Sequence, residues 1–160
     1  MNSWQICISF ARASCALAAL IVLMAGCNPE KVPRLGKVTG TVTLEGQPVA
    51  DARVLFEGAQ PGEPPSVGKT DASGNYELYY SRGHKGATIG DHAVYISTYE
   101  PATDDNPQVK KETIPTKYNG KSELKSTVKR GTNKMDFQLQ AGEIVQPDQP
   151  DPKAKKKKGK

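Results

Sequence analysis

The apolar residues of this chain recur at every second position from residue 37 onward, which is the period of a β-strand and not of a helix. The first such segment places Val38, Gly40, Val42 and Leu44 on one face. The residues between them are threonines, whose branched side chains favour a strand. We therefore expect a strand here with one face buried and the other in contact with solvent.

Further short segments with the same alternation follow, and turn residues such as Gly, Pro, Asn and Asp separate them. The strands predicted after the first are residues 52–56, 67–70, 76–80, 92–98, 124–128 and 135–139. No stretch after residue 27 shows convincing helical periodicity. The sequence thus predicts an all-β fold, a single antiparallel seven-stranded β-sandwich over residues 37–142 with disordered termini.

Two tight turns are predicted between these strands. Gly46 marks a hairpin turn after the first strand, because glycine tolerates a positive φ. In the second turn Asp71 and Ser73 are placed to cap backbone amides, and Gly74 supplies a left-handed position. The alternative for the second turn is calcium binding by Asp71, Ser73 and Asn75, although the bidentate glutamate of a calcium loop is missing downstream.

The segments around these two turns also carry a family resemblance. Residues 38–56 read VTGTVTLEGQPVADARVLF and residues 69–78 read KTDASGNYEL, and together they resemble the carboxypeptidase regulatory-like domain. The resemblance implies a transthyretin-like, prealbumin-type sandwich. Residues 90–97, 114–119 and 131–137 are also similar to small lipoproteins with this domain from planctomycete-type bacteria. Such domains are accessory modules in many unrelated proteins, so the resemblance implies a fold and says little about activity.

An apolar run occupies residues 15–26, twelve residues without a charge. It is too short for a bilayer, which takes about 20 residues, and it has the length of a signal-peptide core. The run ends in LMAG followed by Cys27, which resembles the lipobox of bacterial lipoproteins. This resemblance implies that residues 1–26 are removed, that Cys27 is lipidated, and that residues 27–36 form a tether. The alternative is an ordinary secreted protein with Cys27 as a free thiol.

Cysteine use and the residue after Cys27 bear on location. Cys7 and Cys15 precede the cleavage point, so Cys27 has no intramolecular disulfide partner after processing. An exposed thiol is a liability in an oxidising compartment, whereas an acylated one is a membrane anchor. By resemblance to Gram-negative lipoproteins, Asn28 replaces the Asp that retains a lipoprotein in the inner membrane. We therefore expect a lipid-anchored protein of the cell envelope, at the outer membrane and facing the periplasm or the exterior.

The net charge of +5 is concentrated at one end of the chain. Without Arg12 and six terminal lysines the basic count falls from 22 to 15, and without Asp148 and Asp151 the acidic count falls from 17 to 15. The body is therefore neutral, which disfavours nucleic acid as a partner.

Residues 143–160 are predicted to form a disordered tail rich in proline and lysine. The lysines of this tail are Lys153, Lys155, Lys156, Lys157, Lys158 and Lys160. They either keep the protein soluble or attach it to an anionic surface, such as lipid head groups or anionic glycans.

Residues 100–120 form the longest segment without strand periodicity. Long irregular loops on a rigid scaffold commonly carry binding sites. The candidate binding residues are Lys117, Tyr118 and Asn119, in a segment that also belongs to the lipoprotein resemblance. The corresponding hypothesis is a partner among the envelope proteins, and the alternative is a solvated crossover between strands.

Side chains suited to metal or catalytic chemistry are few. His84 and His92 are the two histidines, and neither stands in a zinc motif. No serine lies in a nucleophile-elbow pattern. We therefore expect no catalytic residue, metal or cofactor, and predict a non-catalytic interaction or structural module instead of an enzyme.

The alternative function is a carbohydrate-binding module for an envelope or extracellular polysaccharide. Sugar binding commonly uses aromatic side chains as stacking platforms, and Trp4, the only tryptophan, lies in the predicted signal segment. Tyrosines would have to replace it. Tyr79, Tyr95 and Tyr99 are the candidates expected at outward positions.

Overall fold

The computed structural model of the protein describes residues 32–147, and within this range the regular structure is almost entirely β. Two single 3-10 turns, Ser81–Gly83 and Thr116–Tyr118, are its helical elements. The strands are β1 (Leu35–Leu44), β2 (Gln47–Pro48), β3 (Arg53–Gly58), β4 (Ser66–Lys69), β5 (Asn75–Glu77), β6 (Tyr79–Tyr80), β7 (His84–Lys85), β8 (Ala87–Thr88), β9 (Gly90–Ser97), β10 (Lys125–Val128), β11 (Thr132–Lys134) and β12 (Phe137–Leu139). The prediction of an all-β fold is confirmed.

The first sheet is built around β1, the longest strand at ten residues. β1 pairs in antiparallel fashion with β2, β5 and β8, and in parallel fashion with β11 and β12. The sequence does not reveal these two parallel pairings, because side chains alternate in the same way in parallel and in antiparallel strands. The second sheet has the order β10-β9-β3-β4-β6-β7, and every pairing in it is antiparallel.

The inward faces of both sheets contribute to one apolar cluster. Val54 and Phe56 of β3 and Val94 and Ile96 of β9 are fully buried, as their alternation predicts. Phe56 meets Phe137 of the first sheet edge to face, with ring centroids 6.2 Å apart. Aromatic pairs in this geometry contribute about 0.5–1.5 kcal/mol beyond their buried area. This contact therefore helps to join the second sheet to the first.

The structure has twelve strands in residues 32–147 where the sequence analysis predicts about seven. One reason is the segment predicted as a single strand at 76–80. In the structure β5 pairs with β1 of the first sheet, whereas β6 pairs with β4 of the second. Tyr76, Leu78 and Tyr80 are all buried, so the alternation continues unbroken while the chain passes between sheets. The remaining additional strands are two or three residues long, which is too short to produce a visible period.

Both predicted turns are confirmed. Glu45 and Gly46 have φ values of 51° and 79°, so both central residues of the hairpin turn between β1 and β2 are left-handed. In the second turn Gly74 has a φ of 78°, and the Asp71 carboxylate accepts the backbone N–H groups of Ser73 and Asn75, each at 2.9 Å. The side chain of Asp71 thus fixes the turn that leads into β5.

The strand directions give the domain two opposite ends. The start of β1 is surrounded by residues 33–36, 81–83, 89–91 and 129–131, and we call this region the basal end. The Arg34 carbonyl there accepts the N–H of Ile89, and the Lys37 N–H donates to the Gly131 carbonyl. We call the distal end residues 45–47, 98–123 and 140–147, which surround the end of β1. The first and last of these segments meet where the Glu45 carboxylate accepts the N–H of Ala141.

Candidate functional site

A groove of about 710 Å³ opens at the distal end of the domain. It lies between β9, the irregular segment 98–123 and the chain segment 143–147. Its lining residues are Ser97, Glu112, Thr116, Lys117, Asn119, Gly120, Lys121, Glu123, Glu143, Val145, Gln146 and Pro147. The groove has the size of a typical ligand site, which spans about 300–1,000 Å³.

A buried glutamate holds the groove together from beneath. Glu112 is only 3% exposed, and its carboxylate accepts the Ser97 hydroxyl at 2.5 Å. The same carboxylate accepts the backbone N–H groups of Thr98 and Ile114, both at 2.9 Å. Buried carboxylates are tolerated only when they are hydrogen-bonded in this way. Glu112 therefore ties the end of β9 to the loop that returns beside it.

The hydrogen bonds to Glu112 also determine its charge. Burial on its own raises the pKa of this carboxyl, but the bonds from Ser97, Thr98 and Ile114 outweigh burial and lower the pKa below its ordinary value. Glu112 is thus held as a carboxylate at neutral pH. A negative charge that accepts several fixed donors is a rigid centre, because each donor orients the same two oxygens.

The wall formed by residues 143–147 is hydrogen-bonded to the loop. The Glu112 N–H donates to the side-chain oxygen of Gln146, and the Gln146 amide donates back to the Glu112 carbonyl, both at 2.9 Å. The Thr116 N–H donates to the Glu143 carbonyl at 2.8 Å. Residues 143–147, which the sequence analysis assigned to the tail, thus belong to the folded body. These residues are held by side-chain and backbone hydrogen bonds and not by strand pairing, so hydrophobic alternation does not reveal them.

The three predicted binding residues occupy two different environments. Lys117 and Asn119 line the groove, as a binding role requires. Tyr118 is not a lining residue: it packs against the core, and its hydroxyl accepts the N–H of Gln140 at 3.1 Å. The Lys117 ammonium lies 4.9 Å from the centre of the Tyr118 ring. The structure therefore brings Lys117 and Asn119 together and assigns Tyr118 to the support beneath them.

Asn119 has a structural role as well as a lining position. Its side-chain amide donates to the Ile114 carbonyl at 3.0 Å. Its side-chain oxygen accepts the N–H of Gly120. Asn119 therefore closes the 3-10 turn at 116–118, and Lys117 is held on the groove side of that turn. A cation fixed at the rim is suited to an anionic group on a partner.

Two central residues of the groove, Glu112 and Gln146, were missed by the sequence analysis. A charged glutamate in an irregular segment is ordinarily expected on the surface. Gln146 lies 34 positions away along the chain, so no spacing links the two. The nearest local signal is the buried apolar pair Ile114-Pro115, which begins two residues after Glu112.

A second surface feature crosses the outer face of the second sheet. The strand register aligns Tyr95, Leu55, Val67 and Tyr79 in one row from β9 to β6. Neighbouring strands are about 4.8 Å apart, so the two tyrosines lie roughly 14 Å from each other. Tyr79 is 40% exposed and Tyr95 is half-buried. Two of the three predicted sugar-stacking tyrosines thus share one row, and Tyr99 lies beyond the end of β9.

Both tyrosines of this row have polar contacts with neighbouring charged side chains. The Tyr79 hydroxyl donates to the Glu77 carboxylate at 2.8 Å, and the Lys85 ammonium lies 5.8 Å from the Tyr79 ring centre. A hydrogen bond to Glu57 raises the pKa of Tyr95. The row therefore combines aromatic faces with carboxylate and ammonium groups close by.

The two histidines are in different environments. His84 is exposed at the edge of the second sheet. His92 is buried beside Phe56, and its ring nitrogens lie 3.0 Å from the Thr88 hydroxyl and 3.0 Å from the Gly90 carbonyl. With Nδ1 donating to the carbonyl and Nε2 accepting the hydroxyl, both ring nitrogens are satisfied. His92 is a core residue that supports the start of β9.

Within residues 32–147 there is no group of three or more His, Cys, Asp or Glu side chains placed to hold a metal ion. The alternative of calcium at Asp71, Ser73 and Asn75 meets a specific obstacle. Both Asp71 oxygens lie within 3.3 Å of the Asn75 side-chain amide, and one also accepts two backbone N–H groups. These bonds hold the pKa of Asp71 below its ordinary value. The oxygens of the Asp71 carboxylate thus already accept hydrogen bonds within the turn.

Several predictions fall outside the described residues. They are the signal segment 1–26, lipidation at Cys27, residues 27–31 of the tether, and the lysines from Lys153 to Lys160. Among residues 32–147, no helix is long and apolar enough to cross a membrane.

No protein-family model matches the chain, and no curated protein matches it. Among solved structures, the chain is similar to a 9R-lipoxygenase from Cyanothece PCC8801, at 18% identity and a TM-score of 0.39. The match covers 72% of this chain and 18% of the lipoxygenase, so this chain spans about a fifth of that protein's length. A likeness at this level supports no conclusion about fold or activity.

Proposed function

We propose that the protein is a non-catalytic lipoprotein of the cell envelope, anchored through lipid at Cys27, whose distal groove binds an envelope protein. The observation that carries the binding role is the Glu112 network. It fixes a groove of about 710 Å³ on a rigid β body, with Lys117 and Asn119 at its wall. A preorganised groove binds with a smaller loss of conformational entropy than a mobile loop.

We further propose that the two sheets form a transthyretin-like β-sandwich of the carboxypeptidase regulatory-like kind. The contact between Phe56 and Phe137 and the shared apolar cluster support face-to-face packing. The turn at residues 71–75, in which Asp71 and Gly74 have the expected roles, supports the family resemblance.

The charges of the groove favour an extended polypeptide as the partner. Lys117 and Lys121 lie on the same wall region as Glu123 and Glu143, so both signs of charge are present. An uncharged sugar chain carries no charges that could pair with these groups, whereas a peptide with acidic and basic side chains complements both signs of charge. Val145 and Pro147 add apolar surface between the charged groups.

The anchor is tested by fractionation and by metabolic labelling. Cells that express the wild-type chain should incorporate labelled palmitate into it and retain it in the membrane fraction. Cys27→Ala should remove the label and release the protein into a soluble fraction, whereas the matched variant Cys15→Ala should change neither. A Cys27→Ala protein that still incorporates palmitate would rule out this anchor.

The groove is tested with a photo-crosslinking amino acid at position 117 and, as the control, at position 134 on β11. We expect a discrete crosslinked protein band from position 117 in envelope preparations. The same band should disappear when Glu112→Gln is added, because that substitution loosens the groove. A band that forms equally from both positions, or persists with Glu112→Gln, would contradict a role for the groove.

The second candidate function is carbohydrate binding, and the row Tyr95–Leu55–Val67–Tyr79 is the observation that favours it. The two aromatic side chains lie roughly 14 Å apart on one face of the sheet, so an extended glycan can stack on both. Binding to envelope polysaccharide should be retained by Tyr99→Ala and lost in Tyr79→Ala and Tyr95→Ala. Equal retention by all three variants, or none by the wild type, would exclude this candidate.

A further inference from the structure

We propose that the basal end of the domain docks onto anionic phospholipid head groups in the membrane to which Cys27 is anchored. This inference rests on the proposed function, because the lipid brings the basal end to the bilayer. It assigns a role to described residues that is separate from both the distal groove and the lysine tail.

The basal end gathers basic side chains from three segments of the chain. Arg34 precedes β1, Arg82 lies in the turn between β6 and β7, and Lys129 and Arg130 lie between β10 and β11. All four side chains are exposed. The first and third of these segments are in contact: a Cβ added to Gly36 would lie 2.3 Å from the Lys129 carbonyl oxygen. Arg34, Lys129 and Arg130 therefore belong to one surface.

Three of these cations are not neutralised by neighbouring acids. Within residues 32–147, Arg34, Lys129 and Arg130 have no ion pair, whereas Lys37 and Lys85 both pair with Glu77 higher on the sheet. An unpaired basic surface attracts anionic lipid more strongly than a paired one, because no internal salt bridge must be broken.

The acids closest to this surface have other contacts. Asp91 accepts the Thr127 hydroxyl at 2.5 Å. Glu63 lies in the loop after β3, where its carboxylate faces Gly58. Asp91 lies within β9, opposite Thr127 of β10, and Glu63 lies between β3 and β4. The basic side chains outnumber them.

An exposed apolar side chain stands among the basic ones. Ile89 is 42% exposed, and its N–H donates to the Arg34 carbonyl at 3.3 Å. Basic residues with interspersed aliphatic ones are the composition of surfaces that lie in the head-group region of a bilayer. The membrane is therefore a better occupant than a soluble anion, which would use the charges alone.

The length of chain before Val32 places this surface near the bilayer. Four residues separate Cys27 from Val32, and this part of the chain spans at most about 18 Å when fully extended. Electrostatic attraction acts over about 8 Å at physiological salt, so the anchor restricts the basal end to a zone where its charges are effective. Each basic residue near an anionic surface strengthens binding about fivefold.

The experiment uses the mature lipidated protein, in which an introduced cysteine is the only free thiol. Ile89→Cys is labelled with a bimane fluorophore and reconstituted into vesicles of phosphatidylcholine with about a third phosphatidylglycerol and a head-group quencher. We expect strong quenching that is lost in about 0.5 M salt, where the Debye length falls to a few ångströms. The same label at Gln47→Cys, at the distal end, should remain unquenched.

The charge requirement is tested with two matched triple variants. Arg34→Gln, Lys129→Gln and Arg130→Gln together should abolish quenching at position 89, an effect on the order of 100-fold in the docking equilibrium. Lys111→Gln, Lys117→Gln and Lys121→Gln remove three charges from the distal end and should leave quenching unchanged. Deletion of residues 153–160 should also leave it unchanged.

The outcomes separate this inference from the anchor. If the protein floats with the vesicles but position 89 is never quenched, docking of the basal end is wrong and the anchor stands. If quenching is equal on pure phosphatidylcholine, or survives the basal triple variant, the electrostatic contact is wrong. If the protein does not float with any vesicle, the anchor is wrong and this inference falls with it.

Discussion

Glu112 and Gln146 exchange two hydrogen bonds, from the Glu112 N–H to the Gln146 side chain and from the Gln146 amide to the Glu112 carbonyl, each 2.9 Å long. The side-chain amide of Gln146 thus pairs with the backbone of Glu112 as a strand backbone would, although neither residue belongs to a strand. This pairing closes the distal groove on one side.

Replacing Gln146 with Ala removes both hydrogen bonds and should lower the free energy of unfolding by about 1–2 kcal/mol. Hydrogen exchange at the Glu112 amide should become faster, because its acceptor is lost. Gln138→Ala, at an exposed position of β12, is the matched control and should change neither quantity. Unaltered exchange at Glu112 in the Gln146 variant would show that the pairing does not form in solution.

Replacing Glu112 with Gln should be more damaging, at about 2–3 kcal/mol. A neutral amide offers one acceptor oxygen where the carboxylate offers two, so donors such as the Ser97 hydroxyl and the Thr98 N–H lose part of their acceptor. Urea unfolding at pH 7 measures the loss. A variant as stable as the wild type would mean that the desolvation cost of the buried carboxylate equals the stabilisation from its hydrogen bonds.

The same residue predicts an acid dependence of stability. The pKa of Glu112 is lowered in the folded protein, and its unfolded value is about 4.3. The carboxylate therefore stabilises the fold above pH 4.3 or so, and this stabilisation is lost as the pH falls through the folded-state pKa. Glu112→Gln should show a smaller loss of stability than the wild type between about pH 5 and pH 3. Parallel pH profiles would contradict this assignment.

Gly40 should not tolerate a side chain. An added Cβ would lie 1.7 Å from the Met135 carbonyl oxygen, because the chain before β12 crosses directly over β1. Gly40→Ala must displace backbone and should cost about 3 kcal/mol or prevent folding. Gly120→Ala, where nothing lies within 4 Å, should change the melting temperature by only a small amount. Similar melting temperatures for the two variants would contradict the close crossing.

Substitutions at Tyr118 and Lys117 should affect different properties, namely stability at Tyr118 and partner binding at Lys117. Tyr118→Phe removes the acceptor of the Gln140 N–H and should lower stability by about 1 kcal/mol while crosslinking from the groove persists. Lys117→Ala should leave the melting temperature nearly unchanged and weaken capture of the partner. The reverse result would return Tyr118 to the binding surface and assign Lys117 to the support.

Calcium at millimolar concentration should leave the melting temperature unchanged. A cation bound to the folded state alone would raise it, by linkage. The Asp71 carboxylate is already shared between backbone amides and the Asn75 side chain, so binding would have to break these contacts. A concentration-dependent rise that Asp71→Asn abolishes would establish a calcium site.

The strands and the core could be predicted because their signal is local. Val54 and Phe56, or Val94 and Ile96, face inward in a strand of any sheet, so alternation alone identifies them. The passage from β5 to β6 could not be predicted, because Leu78 is buried whether the chain stays in one sheet or leaves it. Sheet membership depends on distant partners, which the period of two does not encode.

The candidate site shows the same division. An irregular loop after a long strand is a local signal, and it led to Lys117 and Asn119. The position of Tyr118 depends on Gln140, and the burial of Glu112 depends on Gln146, both contributed by a segment more than 20 residues further along the chain. Polar residues that satisfy one another across such distances leave no pattern in either segment alone.

The parallel pairing of β1 with β11 and β12 has a mechanical consequence. The chain runs into the basal start of β1 and leaves beyond the distal end of β12, so tension applied between its two ends pulls these neighbouring strands in opposite directions. Such a load shears the hydrogen bonds between the strands together and does not unzip them one by one. A domain held at a membrane by its amino terminus and pulled from its carboxyl terminus would therefore be loaded in shear, the direction in which paired strands resist separation most.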